Sequence, residues 1–298
     1  MANAKGLVLF IVALVYWTEL PAQTLTLSAE RLDDRWIIRV DEKTFTVYRF
    51  GQGQKYPYFY PVNGPTSGLS LTTESSLPYP HHRSLFFGCD KVNGGNYWQE
   101  GNEQGQILSR GPILIHGGPD KIILQDTCDW VRPGQPAVIR DFRRYELSTP
   151  SASLRFIDVD ITLTALVDIH IEKNNHSLFA ARVIPELSVK GGGILCNSQG
   201  DLAEKGTYQV ASPWCDFSGE HHGFREGLAI LDSPKNPWYP IRWFTRDYGF
   251  FSPTPMLWLD ERGFSLAQGD SLALRYRVIV HAGDAQQAGI AALAGQWK

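Results

Sequence analysis

Between Ile157 and Glu172 apolar and polar side chains alternate with hardly a break. Ile157, Val159, Ile161, Leu163, Ala165, Val167, Ile169 and Ile171 interleave with Asp158, Asp160, Thr162, Thr164, Leu166, Asp168, His170 and Glu172. Successive side chains of a strand point to opposite faces, so this period of two demands an extended segment with one face buried and the other wet or lining a cleft. At ~3.3 Å per residue the run reaches on the order of 50 Å, longer than ordinary strands, and is expected to bend, bulge or break once. Trp36–Val40, Thr44–Arg49, Lys121–Trp130, Ala137–Leu147, Leu178–Val189, Gly227–Leu231 and Leu272–Val280 carry β-branched and aromatic residues bounded by Gly, Pro, Asn or Asp, and read as further strands. Helical signal is scarce; the one candidate opens at Asp284 as N-cap and runs to Gln296. With 28 Gly, 18 Pro and too little helix to cover a parallel sheet, the pattern predicts an all-β fold, a large antiparallel β-sandwich with a short C-terminal helix. No linker, low-complexity tract or fixed-period repeat divides residues 23–298, which are expected to form one domain.

The N-terminus places Lys5 before an uncharged apolar run from Gly6 to Trp17, followed by Glu19-Leu20-Pro21-Ala22. The run is shorter than the ~20 residues that span a bilayer, so residues 1–22 read as a secretory signal cleaved near Ala22, and the mature chain as periplasmic or secreted. No other segment is apolar enough to cross a membrane. A net charge of −3 with Lys and Arg scattered argues against nucleic acid as a partner. Cys89, Cys128, Cys196 and Cys215 are far apart without a Cys-x-x-Cys; up to two disulfides are open to an exported chain, with three connectivities that the sequence cannot rank.

Three segments concentrate chemistry. The first is Tyr79-Pro80-His81-His82-Arg83-Ser84, followed by Asn93, Trp98 and Glu100. Adjacent histidines of an extended segment point to opposite faces, so one of them looks into a given pocket unless the backbone turns. The second is Trp214-Cys215-Asp216 through Glu220-His221-His222, and the third is Asp232 to Trp243 with Asn236, stiffened by Pro234, Pro237 and Pro240 and followed by Arg246. Aromatic faces cover the CH surface of a pyranose while Asp, Asn, Arg and His satisfy its hydroxyls, so the mixture fits sugar recognition. The same aromatics also suit a large β core. A divalent metal is a second option, held by His81 or His82 with His116, His221 or His222 and Asp216, although the spacing matches no diagnostic ligand motif. Serine-hydrolase, P-loop and dinucleotide fingerprints are absent.

Pro57-Tyr58-Phe59-Tyr60-Pro61, Pro80-His81-His82-Arg83-Ser84-Leu85, Val92-Asn93-Gly94 with Trp98, and Asn197-Ser198 with Gly200 recur in order and spacing in one group of exported bacterial proteins. So do Trp214 with Asp216, Asp232 with Asn236-Pro237, Trp243 with Arg246 and Tyr248-Gly249, and Leu274-Arg275-Tyr276-Arg277 to His281. On these residues the chain resembles the family labelled methane oxygenase PmoA. The resemblance implies a sandwich like the galactose-mutarotase supersandwich, not a membrane methane oxygenase, which needs transmembrane helices that this chain lacks. His221 and His222 lie outside the shared pattern.

Together these readings predict an exported carbohydrate-active protein doing acid-base chemistry on a sugar, as an epimerase, lyase or hydrolase. His81 or His82 moves the proton, Glu100 or Asp216 is its partner, and Arg83, Asn93, Trp98, Trp214, Asp232, Asn236 and Arg246 bind the substrate. A non-catalytic glycan-binding module using the same cleft, or a surface protein whose polar motifs only tie loops down, are the alternatives.

Overall fold

A computed structural model describes residues 25–99 and 101–297, so the expected signal segment and Glu100 lie outside the described residues. In chain order the strands are β1 (Leu27–Leu32), β2 (Arg35–Val40), β3 (Lys43–Arg49), β4 (Tyr58–Val62), β5 (Leu85–Cys89), β6 (Gln106–Ser109), β7 (Ile113–Gly117), β8 (Lys121–Val131), β9 (Ile139–Ser151) and β10 (Leu154–Ala165). There follow β11 (Ile169–Ile171), β12 (Ser177–Arg182), β13 (Ile194–Asn197), a one-turn helix α1 (Ala203–Thr207), β14 (Trp214–His221), β15 (Phe224–Asp232) and β16 (Trp243–Arg246). The chain closes with β17 (Phe250–Pro253), β18 (Phe264–Leu266), β19 (Ser271–Ala282) and helix α2 (Ile290–Gln296).

One sheet has the order β1-β2-β3-β4-β5-β12-β17-β16 and the other β13-β14-β15-β19-β10-β9-β8-β6, with every pairing antiparallel. Their inner faces meet ring on ring: Phe87 against Trp130 (6.3 Å between centroids), Phe179 stacked on Tyr276 (4.7 Å) and Phe217 edge-on to Phe251 (5.1 Å). The antiparallel sandwich expected from the strand pattern is therefore present. Among the described residues no helix is long and apolar enough to cross a membrane.

The alternating run at 157–172 behaves as its length demands. Ile157, Val159, Ile161, Leu163 and Ala165 are buried along β10, between β9 and β19. The strand then breaks, and the chain re-enters as β11 in a separate two-stranded sheet with β18. The break is held by the Asp168 carboxylate, which accepts from the Gln268 amide at 2.8 Å. The strand expected at 178–189 stops at Arg182, before Pro185 opens a 3₁₀ turn. The C-terminal helix starts later than expected. Asp284 caps a turn through the amides of Gln286 and Gln287 (3.0 and 2.9 Å), but Gly289, at φ 67°, interrupts it and regular helix begins at Ile290. All four cysteines are free thiols, so no disulfide forms.

The outer face of the second sheet is covered by α2, whose Ile290 packs with Trp297, Phe156, Trp214, Leu231 and Ile279. Beside that patch, Asp216 on β14 and His281 on β19 are 0 % exposed and joined Oδ2 to Nε2 at 2.7 Å. The imidazole reaches across β15 because Gly227 lies opposite both Ser218 and His281; a Cβ there would stand 2.5 Å from the ring. Burial works to lower the His281 pKa, but the charge and hydrogen bond of Asp216 outweigh it and raise it. Breaking such a buried pair from one side strands the other charge. Asp216→Ala is therefore expected to cost about 3–5 kcal/mol in urea unfolding, and a loss under 1 kcal/mol would show the pair to be dispensable.

Candidate functional site

The outward side of the first sheet carries two cross-strand rows. Tyr58, Phe86 and Ala180 stand opposite one another, as do Arg182 and Phe250, with Arg246 next to Phe250. Three connections fold over these rows: the 73–84 loop before β5, the 96–99 segment, and the turn at Asp247–Gly249. His176, just ahead of β12, joins them.

His82 is 3 % exposed and lies flat on Phe250, with centroids 4.1 Å apart. His81 stands edge-on to it at 4.4 Å and reaches His176 at 5.8 Å. Tyr79 leans over His82 (5.3 Å) and Tyr248 (5.1 Å), and Tyr248 is parallel to His82 at 6.3 Å. Beneath, Trp98 is fully buried between Phe86 (4.8 Å) and His176 (5.7 Å). The Gln99 amide donates to Nδ1 of His176 at 3.0 Å, which leaves the proton of a neutral ring on Nε2. The Arg182 guanidinium sits over the Tyr248 ring at 4.3 Å.

These surroundings set the charge states. Burial, then the neighbouring His81, Arg182 and His176, push the His82 pKa down to about 2, so the ring stays neutral throughout the physiological range. Its Nδ1 is buried and makes no hydrogen bond among the described residues. That ring nitrogen is left for a ligand's hydrogen bond, while a pKa this low makes the ring a weak base until a ligand's charge raises it. At the far side Tyr58 donates to Glu74 at 2.7 Å, Arg49 stands 3.6 Å from the same carboxylate, and Arg83 lies over the Tyr58 ring at 5.8 Å. Burial and the Glu74 bond push the Tyr58 phenol up to about 12.

Of the residues singled out from sequence, His81, His82, Arg83 and Trp98 thus share one face. Arg246 borders it, between Phe244 (4.0 Å) and Tyr208 (4.7 Å) and paired with Glu204 at 2.8 Å. The others are elsewhere. Asp216 is committed to His281, and Trp214 packs under α2 on the opposite side of the molecule's core. Asp232 accepts from Asn236 (2.6 Å) and from the Ile241 amide (3.1 Å), burial pushing its carboxyl up to about 7. Asn236 also clamps the backbone of Arg275, and Asn93 ties Asp168 to His170. These residues hold loops in place. The proposed metal set is likewise dispersed: His116 faces Asp120, His221 faces Glu226, and among the described residues no three His, Cys, Asp or Glu side chains gather to hold an ion.

His176 and Arg182 were not singled out from the sequence. A signal exists for the second, a lone charge closing the apolar run Leu178–Ala181, whereas His176 follows two asparagines in an ordinary turn sequence. A recess of ≈ 400 Å³ beside Lys43, the 63–68 loop and Arg155 contains none of the candidate residues. Tyr79 lies over His82 and Tyr248, and it is the chemistry of this face that marks it.

A family model of unknown function matches residues 35–295. The chain belongs to that family, DUF6807. This overturns the resemblance to the methane oxygenase PmoA family: the shared motifs are short aromatic and proline segments, which are too permissive to separate one β-sandwich family from another. No curated protein matches the sequence. Among solved structures, a galactose 1-epimerase from Lactobacillus acidophilus NCFM superposes with a TM-score of 0.42 at 10% identity, over 87% of this chain and 99% of its own. An alpha-galactosidase from Lactobacillus brevis gives 0.39 at 10% identity, over 88% of this chain. This chain spans only 40% of the alpha-galactosidase. Likenesses this distant transfer no activity.

The neutral state of His82 has a stability consequence. A histidine at about 2 when folded and 6.5 when unfolded binds its proton more readily in the unfolded chain, so stability is lost as pH falls below 6.5. At pH 5 the loss attributable to this ring is about 2 kcal/mol. His82→Phe, which keeps the stack on Phe250, should flatten the stability profile between pH 7 and pH 5 in urea titrations; an unchanged slope would place the ring in contact with solvent.

Proposed function

We propose that the imidazole face of the first sheet binds a sugar and catalyses proton transfer on it, in a protein exported by residues 1–22. The observation that carries the reading is the neutral, buried His82 with its uncommitted Nδ1, held flat on Phe250. That nitrogen makes no hydrogen bond within the described residues. A sugar hydroxyl at the anomeric or neighbouring carbon is offered that nitrogen; a ring held at about 2 takes the hydroxyl's proton only once a bound anion's charge raises its basicity, and His81, 4.4 Å away between ring centroids, stands beside it. Tyr79 is 38% exposed and, with Tyr248, offers the ring faces for the sugar's CH surface, while Arg83 borders the same face. Trp98 is 0% exposed and works from beneath, supporting Phe86 and His176, in place of the stacking role its sequence context implied.

The test is a panel of neutral and acidic monosaccharides and simple glycosides, followed by saturation-transfer NMR for binding and by ¹H NMR for anomer exchange, elimination or hydrolysis. Wild type is expected to bind and turn over at least one class. His82→Ala should retain binding within a few-fold and lose turnover by about 10²–10⁴-fold, the usual worth of a positioned acid-base group, and Tyr248→Ala should weaken binding. Binding without turnover by wild type would convert the reading to a glycan-binding module; no binding to any member would defeat it.

A further inference from the structure

We propose that the ligand of this face is an acidic sugar, whose carboxylate is received by Arg182. The inference rests on the sugar reading above and adds the charge of the substrate. Arg182 closes β12, is 6% exposed, and leaves Nε and Nη1 without an acceptor among the described residues. An arginine does not shed its charge to relieve such a position. Neighbouring cations on this face are provided for: Arg246 has Glu204 at 2.8 Å, and Arg49 has Glu74 at 3.6 Å. Arg182 instead faces the Tyr248 ring at 4.3 Å, the Tyr79 phenol and the His82 imidazole, and among the described residues no carboxylate acts on it. A buried guanidinium with donors to spare and no anion among the described residues is the complement of a planar oxyanion, and a carboxylate fits its geometry better than a neutral hydroxyl.

The cover over Arg182 is the Tyr79 ring, carried between two anchors: Glu74, which accepts from the Tyr58 hydroxyl, and the His81 carbonyl, which accepts from Tyr56. The main-chain bonds described within the 74–82 segment are internal to it, Tyr79 to Ser76 (3.0 Å) and His82 to Tyr79 (3.1 Å). Leu77, at its tip, is 87% exposed. What lies over Tyr248 and His82 is the Tyr79 ring. Swinging Tyr79 outward opens a path to the guanidinium while β12 and β17, which hold Arg182 and Phe250 in register, stay paired.

Calorimetric or NMR titration of the full chain with galacturonate and glucuronate, against galactose and glucose, decides the point. Wild type should bind a uronate at least tenfold more tightly than its neutral parent. Arg182→Gln should weaken the uronate by about tenfold to a hundredfold, the worth of a hydrogen bond to a charged group, and leave the neutral sugar within about twofold. Arg182→Lys, which keeps the charge and serves if the glutamine variant fails to fold, should retain part of the preference. Equal binding of neutral and acidic sugars by wild type, or equal loss of both in Arg182→Gln, overturns this inference and leaves the sugar reading standing. If neither class binds wild type, both fall.

Discussion

The central strands of the first sheet are buried on both sides, and the rest of the candidate site follows from that constraint. Every residue of β5, β12 and β17 is buried. One face, with Phe87, Phe179 and Phe251, is closed by the second sheet. An antiparallel sheet commonly leaves its other face wet, but here that face presents Phe86 and Phe250, which demand cover. The chain supplies it with loops, not helices. Loops bring polar side chains to an apolar floor, so two imidazoles, a phenol and a guanidinium end up pressed on aromatic rings.

That arrangement explains why charge is scarce at the centre and plentiful at the rim. A protonated His82 would have to coexist, in a poorly solvated stack, with the permanent charge of Arg182, and the neutral form wins. Farther out, Glu74 with Arg49 and Glu204 with Arg246 are partly exposed and paired. The gradient runs from the neutral His82 ring over Phe250 to compensated ions at the edges.

The fold was legible where period and length speak for themselves. The 157–172 alternation specified a buried face, and its length alone required the break that the structure places between Ala165 and Ile169. Helix α2 was legible in kind but not in start, because Asp284 caps a turn equally well whether or not a left-handed Gly289 follows. The site was half legible. His81, His82 and Arg83 are contiguous, and Trp98 follows closely enough to return to the same strand pair. The later clusters share residue types with them but not location: Trp214 and Asp216 alternate on β14 with the inward Cys215 and Phe217, which turns them to the outer face under α2. A period of two decides that, yet which face is outermost depends on which sheet packs where, and no local pattern carries it.

His82 and His281 show most clearly where residue type stops being informative. Both are buried histidines, His82 in the loop before β5 and His281 on β19, and their pKa values move in opposite directions. The difference is one carboxylate. His281 has Asp216 at 2.7 Å, delivered by a glycine on the intervening strand that leaves room for the ring, and its nitrogen is spent on the fold. His82 meets rings and a guanidinium, keeps Nδ1 uncommitted, and is neutral. The histidine spent on the sandwich and the one that keeps a ring nitrogen uncommitted are separated by a single carboxylate contact, 65 residues distant in sequence for the first and absent among the described residues for the second. Reading function from such a chain therefore requires knowing which imidazole the acid reaches, and the three-dimensional register supplies that answer.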